Sequence, residues 1–178
     1  MASAFGHGIA AYGLGKLFPK KIMTRKVFTL GIISSILPDL DVIAFNFGIS
    51  WDSMWSHRGF THSIFVAIIW SLILILVFHR KDELAPKTKV SLYYFIATLS
   101  HGIFDAMTNG GNGIAFFAPF SAERYFLPWE VIQVSPIGVK NFFSKWGVEV
   151  LKSEFIYIAL PSLALILLGN WLNKKVYP

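Results

Sequence analysis

The sequence predicts an all-α, multi-pass membrane bundle of about five transmembrane helices, with an outer loop carrying an interfacial amphipathic helix. Three observations predict it. The 178 residues are 54% apolar and only 15% charged, with a mean hydropathy of +0.57. Several apolar runs approach spanning length, and the basic residues fall mainly in short segments between those runs. Four or five spans of about 20 residues each occupy more than half the chain, so residues 1–178 are read as a single membrane domain.

The first helix is expected over Ala4 to Phe18, short and glycine-rich; Gly6, Gly8, Gly13 and Gly15 suit close approach to other helices rather than a lipid-facing position. Met1 to Gly15 contains no lysine or arginine, so a cleaved secretory signal is not expected. The remaining spans are read as Val27 to Phe47, His62 to Phe78, Val90 to Met107 and Phe155 to Leu172. Basic residues fill Pro19 to Lys26, Arg80 to Lys89, and Lys174 with Lys175. Five spans put all three segments on one side, the cytoplasm by the positive-inside rule. The N-terminus then faces outside and the C-terminus lies in the cytoplasm.

Two segments remain for the outer side, Gly48 to Thr61 and the long connection from Thr108 to Glu154. Ser135 and Pro136 look like an N-cap and first helical position. They would open an amphipathic helix with Phe142, Phe143, Trp146 and Val150 against Lys140 and Lys145, lying in the membrane interface. Phe116, Phe117, Phe120, Tyr125, Phe126 and Trp129 read as interfacial anchors more than as a lipid groove.

Ionisable groups inside membrane helices are costly and point to function. Here they are His7, Asp39, Asp41, His57, His62, His101 and Asp105, and with the topology fixed from basic loops alone, all fall at the outer ends of helices or between them. His101 and Asp105 stand one helical turn apart on one face. Pro38 should break the regular helix before Asp39-Leu40-Asp41, letting both carboxylates point together. Thr61 is a candidate cap for the third helix, and Thr108-Asn109-Gly110-Gly111 should turn the outer loop back over the site.

Cysteine is absent, so any metal falls to nitrogen and oxygen ligands. Imidazole and carboxylate suit zinc first, with manganese or iron as alternatives, and more than four ligands would suit two ions. Arg58 and Arg124 are candidates to hold a phosphate. Left unpaired, Asp39, Asp41 and Asp105 would be uncompensated intramembrane charge, which favours metal over a purely structural role. His7 taken singly is as well explained by a structural partner. His79, beside Arg80 and Lys81 and far from the cluster, reads as an ordinary polar interface residue, and Asp52 and Glu123 as solvated loop charge.

The set His7, Pro38-Asp39-Leu40-Asp41, His57-Arg58-Gly59-Phe60-Thr61-His62-Ser63, and His101 through Asp105 to Thr108-Asn109-Gly110-Gly111 resembles the LexA-regulated, membrane-bound metal-dependent hydrolases of the YdjM type. The resemblance spans nearly the whole chain and implies a prokaryotic inner-membrane protein with hydrolase chemistry. The spacing of His101 and Asp105 is also similar to one element of zinc-dependent phospholipase C and related nucleases, which favours phosphoester chemistry.

The expectation is a metal-dependent hydrolase of a lipid-linked phosphoester at the outer interface, with membrane lipids as surroundings and no nucleic-acid partner. His7, Asp39, Asp41, His57, His62, His101 and Asp105 would ligate one or two divalent ions. The carboxylate of Asp39 or Asp41 left free would act as general base. The alternative is a transporter or channel for protons or metal ions, since an Asp and His chain also suits an ion pathway.

Overall fold

Three hydroxyl side chains start three of the helices. Ser3 Oγ accepts the Gly6 amide at 3.3 Å and opens α1 (Ala4–Gly15), and Thr24 Oγ1 accepts the Val27 amide at 3.3 Å and opens α2 (Arg25–Ile36). Ser63 Oγ accepts the Val66 amide at 3.1 Å and opens α3 (Ile64–Phe78). Thr61 is therefore not the cap; its hydroxyl donates to Asp41 at 2.5 Å instead. This computed structural model describes residues 1–176, with the side chains of Leu84, Ala85 and Val139 left aside. The domain read as 1–178 thus ends two residues outside the described part.

Pro38 has the effect expected of it. α2 gives way at Leu37 to an eleven-residue 3-10 segment, Leu37–Phe47, closed by Gly48 in the left-handed region. Such runs rarely exceed three or four residues and mark strain or function. A 3-10 turn at Phe60–His62 leads into α3, and α4 (Leu84–Ala106) starts six residues before the expected Val90.

Beyond α4 the chain is irregular, with isolated bridges pairing Thr108 with Ile132 and Ile114 with Tyr125 and no longer strand among the described residues. Ser135 and Pro136 do not begin a helix, because the Ser135 amide is engaged by the Met1 carbonyl at 2.9 Å in extended chain. Only the single turn α5 (Val139–Phe142) forms there. α6 (Lys145–Glu154) runs without a break through a π-helical turn, Phe155–Ala159, into α7 (Leu160–Lys175). The expected interfacial helix is thus not a separate element; its second half is the first third of a 31-residue helix, Lys145–Lys175. No proline or glycine lies between Val148 and Leu160, so nothing terminates it at Glu154.

α4 packs against α1, α2 and α3, and α7 packs against α1. The core between them holds Ala11, Val27, Leu74, Tyr93, Tyr94 and Ala97. At Gly13 the backbones of α1 and α7 come so close that a Cβ would lie 3.0 Å from that of Ser162. The outward faces of α3 and α7 are apolar, with Leu72, Leu76, Leu163 and Leu167 exposed, as a lipid-facing surface requires. By length and composition, Arg25–Phe47 and Lys145–Lys175 are able to cross a membrane; Ile64–Phe78 is apolar but shorter.

The two ends differ chemically. Lys26 Nζ donates to the Phe78 carbonyl and the Lys20 amide to Asn173 Oδ1 at 2.6 Å, so all three basic segments gather at one end. At the other, the Ala2 amide donates to Asp105 Oδ1 at 2.6 Å, and there the histidines and aspartates collect.

Candidate metal centre

α4 presents His101 and Asp105 one turn apart, both fully buried. The 3-10 segment after Pro38 brings Asp39 beneath them, and the turn Phe60–His62 brings His62 across from the opposite side. Four ligand atoms result: Asp39 Oδ1, His62 Nε2, His101 Nε2 and Asp105 Oδ2. His101 Nε2 is 3.0 Å from His62 Nε2, 3.3 Å from Asp39 Oδ1 and 3.9 Å from Asp105 Oδ2. His62 Nε2 is 3.7 Å from Asp39 Oδ1 and 3.8 Å from Asp105 Oδ2.

The far sides of the two rings fix their protons. His101 Nδ1 lies 2.8 Å from the Ser35 carbonyl, which can only accept, and His62 Nδ1 lies 3.0 Å from Thr61 Oγ1, whose own proton goes to Asp41, and 3.2 Å from the Asp41 carboxylate. Each Nδ1 therefore donates, and in the neutral rings both Nε2 lone pairs face each other at 3.0 Å. Two like lone pairs at that distance repel unless a proton or a metal ion lies between them. Asp39 Oδ1 and Asp105 Oδ2 are buried without any hydrogen-bond partner, an arrangement costly in a low-dielectric interior. Tetrahedral zinc with bonds of about 2.0–2.1 Å separates its ligand atoms by about 3.3 Å. The separations here bracket that value, so the residues fit a divalent ion.

A second group, Asp41, His57 and His62, lies within the same kind of reach. Asp41 Oδ1 is 2.7 Å from His57 Nδ1, while its Oδ2 serves His62 Nδ1 and the Thr61 hydroxyl. Ligation by His62 through this nitrogen would need its proton removed. These contacts give Asp41 the position of a carboxylate that would orient His62 if an ion were held at its Nε2. His7 stands beside the four atoms rather than among them. It stacks on His101 at 3.9 Å with the rings 21° apart, and its Nε2 is 3.4 Å from Asp105 Oδ1.

With this constellation in view, comparison with known proteins is specific. The profile of the YdjM inner membrane protein family matches residues 1–176. The chain belongs to that family. It is also 32% identical over 174 residues to the inner membrane protein YbcI of Escherichia coli (strain K12), covering 98% of this chain and all of that one. No solved structure matches. The inner-membrane assignment of the YdjM family agrees with the apolar outer faces and the two helices of spanning length. Neither description names a reaction.

Around the site, this YdjM-family chain spends its arginines on structure. Arg58 is buried, with φ at +66°; its Nε lies 3.6 Å from Asp105 Oδ2, Nη1 donates to the Gly110 carbonyl at 2.8 Å and Nη2 to Thr108 Oγ1 at 2.8 Å. Gly111, at φ +89°, lies flush against the guanidinium, and a Cβ there would sit 2.7 Å from Nη1. Arg124 donates to the carbonyls of His57 at 3.2 Å and Ser53 at 3.0 Å and reaches others at longer range. It clamps the two outer segments together and is not disposed to hold a phosphate. Burial lowers its pKa, with Asp52 opposing. A cavity of about 410 Å³ opens beside the cluster, lined by Met1, His57, Arg58, Trp51 and Trp146 among others. Burial likewise pushes the Met1 amino group down, against the pull of Asp105.

Sequence reasoning missed Glu154, Ser3 and Ser35. Glu154 is buried, its carboxylate accepting the amide and, at 2.6 Å, the hydroxyl of Ser3. Its neighbours Lys152 and Ser153 give it the appearance of a solvated helix end. Ser35 acts through its backbone carbonyl, for which side-chain chemistry offers no signal. His79 is remote from the cluster as expected, though buried and bonded to Asp82 at 2.6 Å and Tyr94 at 2.9 Å.

Proposed function

We propose that the protein is a membrane-embedded metal-dependent hydrolase acting on a lipid-linked phosphoester at the outer membrane interface. The observation that carries this reading is the convergence of four buried lone-pair atoms, two of them carboxylate oxygens without a hydrogen-bond partner. Asp39, His62, His101 and Asp105 would hold one divalent ion, zinc by ligand type. Bound there, the ion supplies Lewis acidity toward a phosphoryl oxygen and water. Four protein ligands are the closed pattern of a structural zinc site, so hydrolysis requires a further coordination position facing the cavity.

The cavity floor supports that use. Met1 N and Arg58 Nε approach Asp105 Oδ2 to 3.9 and 3.6 Å, and His57 Nδ1 approaches Asp39 Oδ1 to 4.0 Å. His57 is held by Asp41 and lines the cavity, and it would take up a proton from attacking water. The aspartate expected as general base then works through His57. Trp51, Ile137 and Trp146 give the cavity an apolar wall suited to a lipid chain. Five spans, with the basic end in the cytoplasm and the cluster near the outer face, complete the reading; the gathering of the basic segments at one end supports it.

The test is elemental analysis of detergent-purified protein beside a His101→Ala, Asp105→Ala variant, followed by phosphate release from lipid phosphoesters with and without chelator. Stoichiometric metal, lost in the variant, with chelator-sensitive release supports the proposal. Metal without hydrolysis leaves a structural centre, and metal-free protein that cannot be loaded overturns both. Ion transport draws on a different observation, the link from buried Tyr94 through buried His79 to exposed Asp82 at the basic end. Ion flux into protein-containing liposomes, absent from the hydrolase, is its signature.

A further inference from the structure

At the end remote from the metal cluster, a cavity of about 460 Å³ lies between the α1–α2 connection and the last turns of α7. Asn173 builds it. Its amide nitrogen donates to the carbonyls of Lys16 at 3.1 Å, Phe18 at 3.2 Å and Gly169 at 2.9 Å, and its oxygen accepts the Lys20 amide at 2.6 Å. Gly169 lets α7 close onto the Lys16 carbonyl. One side chain thus fixes three stretches of backbone around the opening.

The lining has a definite character. Lys16, Lys20 and Lys174 border the cavity, and no aspartate or glutamate does. Lys16 Nζ is held over the rings of Tyr12 at 4.8 Å and Phe28 at 5.4 Å. Among the described residues the only lysine in an ion pair is Lys152, so none of these three ammonium groups has an acidic partner there. Cations gathered around a concave, partly apolar surface concentrate positive potential and attract an anion. Phe18, Met23 and Phe28 supply apolar surface beside them.

We propose that this cavity binds the phosphate headgroup of an anionic glycerophospholipid. The lysines would neutralise the phosphate, Asn170 at the rim would meet the headgroup hydroxyls, and the apolar residues would take the glycerol backbone. A free phosphate would use the lysines but leave that apolar surface unused. The position fits a lipid as well, because the cavity lies where apolar helices end in basic segments, the level at which headgroups sit. The proposal does not rest on the hydrolase reading.

The test uses the full chain in an uncharged detergent. Retention of phosphatidylglycerol and of phosphatidylcholine with identical acyl chains is compared by native mass spectrometry, for the wild type and two double variants. Lys20→Gln with Lys174→Gln removes charge from the cavity; Arg80→Gln with Lys81→Gln removes the same charge from exposed positions at the same end. The expected result is at least tenfold preference for phosphatidylglycerol in the wild type and the second variant, and its loss in the first. Equal loss in both variants reduces the effect to diffuse surface charge and overturns the site. Equal retention of the two lipids overturns it also. Displacement of phosphatidylglycerol by millimolar inorganic phosphate reassigns the cavity to a soluble anion. Should the first variant unfold without lipid, Lys174→Gln read against Lys81→Gln decides the same question.

Discussion

The Nε2 atoms of His62 and His101 face each other across 3.0 Å, and each ring is turned that way by a bond on its far side, to Asp41 and to the Ser35 carbonyl. Histidines anchored in this manner are pre-set as ligands before an ion arrives.

Replacing His101 or Asp105 by alanine should therefore abolish stoichiometric metal. The wild type should lose its ion as pH falls, since imidazole and carboxylate must both be deprotonated to bind. Elemental analysis after dialysis at a series of pH values measures both effects. Undiminished metal in either variant would place the ion elsewhere.

Asp41→Asn should behave differently from Asp39→Asn. Loss of an orienting carboxylate weakens metal affinity by about 10–100-fold without removing the site, whereas Asp39 would supply a ligand oxygen. Competition with a chelator of known affinity separates the two. Equal loss in both variants would make Asp41 a ligand.

His7→Phe should keep one ion per chain, because stacking on His101 is retained and His7 contributes none of the four ligand atoms. Metal stoichiometry is the readout, and its loss would restore His7 to the ligand set.

Gly111→Ala should push Arg58 off Asp105, since the added carbon meets the guanidinium at 2.7 Å and the backbone there has positive φ. A cost of about 1–3 kcal/mol is expected for such overpacking, read as a lowered melting temperature. An unchanged melting temperature would mean that the loop relaxes freely.

Glu154→Ala should destabilise by about 1–3 kcal/mol, because the Ser3 amide and hydroxyl lose their buried acceptor. Denaturation in detergent measures it; a neutral result would mean that water replaces the carboxylate.

The site was legible in the sequence because its components are rare in apolar helices. Asp39 behind Pro38, and His101 four residues from Asp105, announced themselves by cost and spacing. The division of labour among them was not legible. Which nitrogen of His62 faces Asp41, and whether Arg124 meets a ligand or five backbone carbonyls, depends on how loops fold over one another. Helix ends failed for local reasons: Thr61 and Ser63 are equally good caps on paper, and the demand of Asp41 for the Thr61 hydroxyl decides between them. Ser135-Pro136 carries a helix-start signal that the bond from the Ser135 amide to the Met1 carbonyl, and from the Ile132 amide to that of Met107, overrides.

The unbroken helix from Lys145 to Lys175 has a mechanical consequence. At about 1.5 Å per residue it is a rod of about 46 Å, against a hydrocarbon layer of about 30 Å. Crossing with its basic end at one surface, it would project roughly a third of its length from the other or take it up by tilt. Trp146, in the first turn of that rod, lines the cavity beside His57. A change in bilayer thickness would thereby reach the cavity mouth through Trp146.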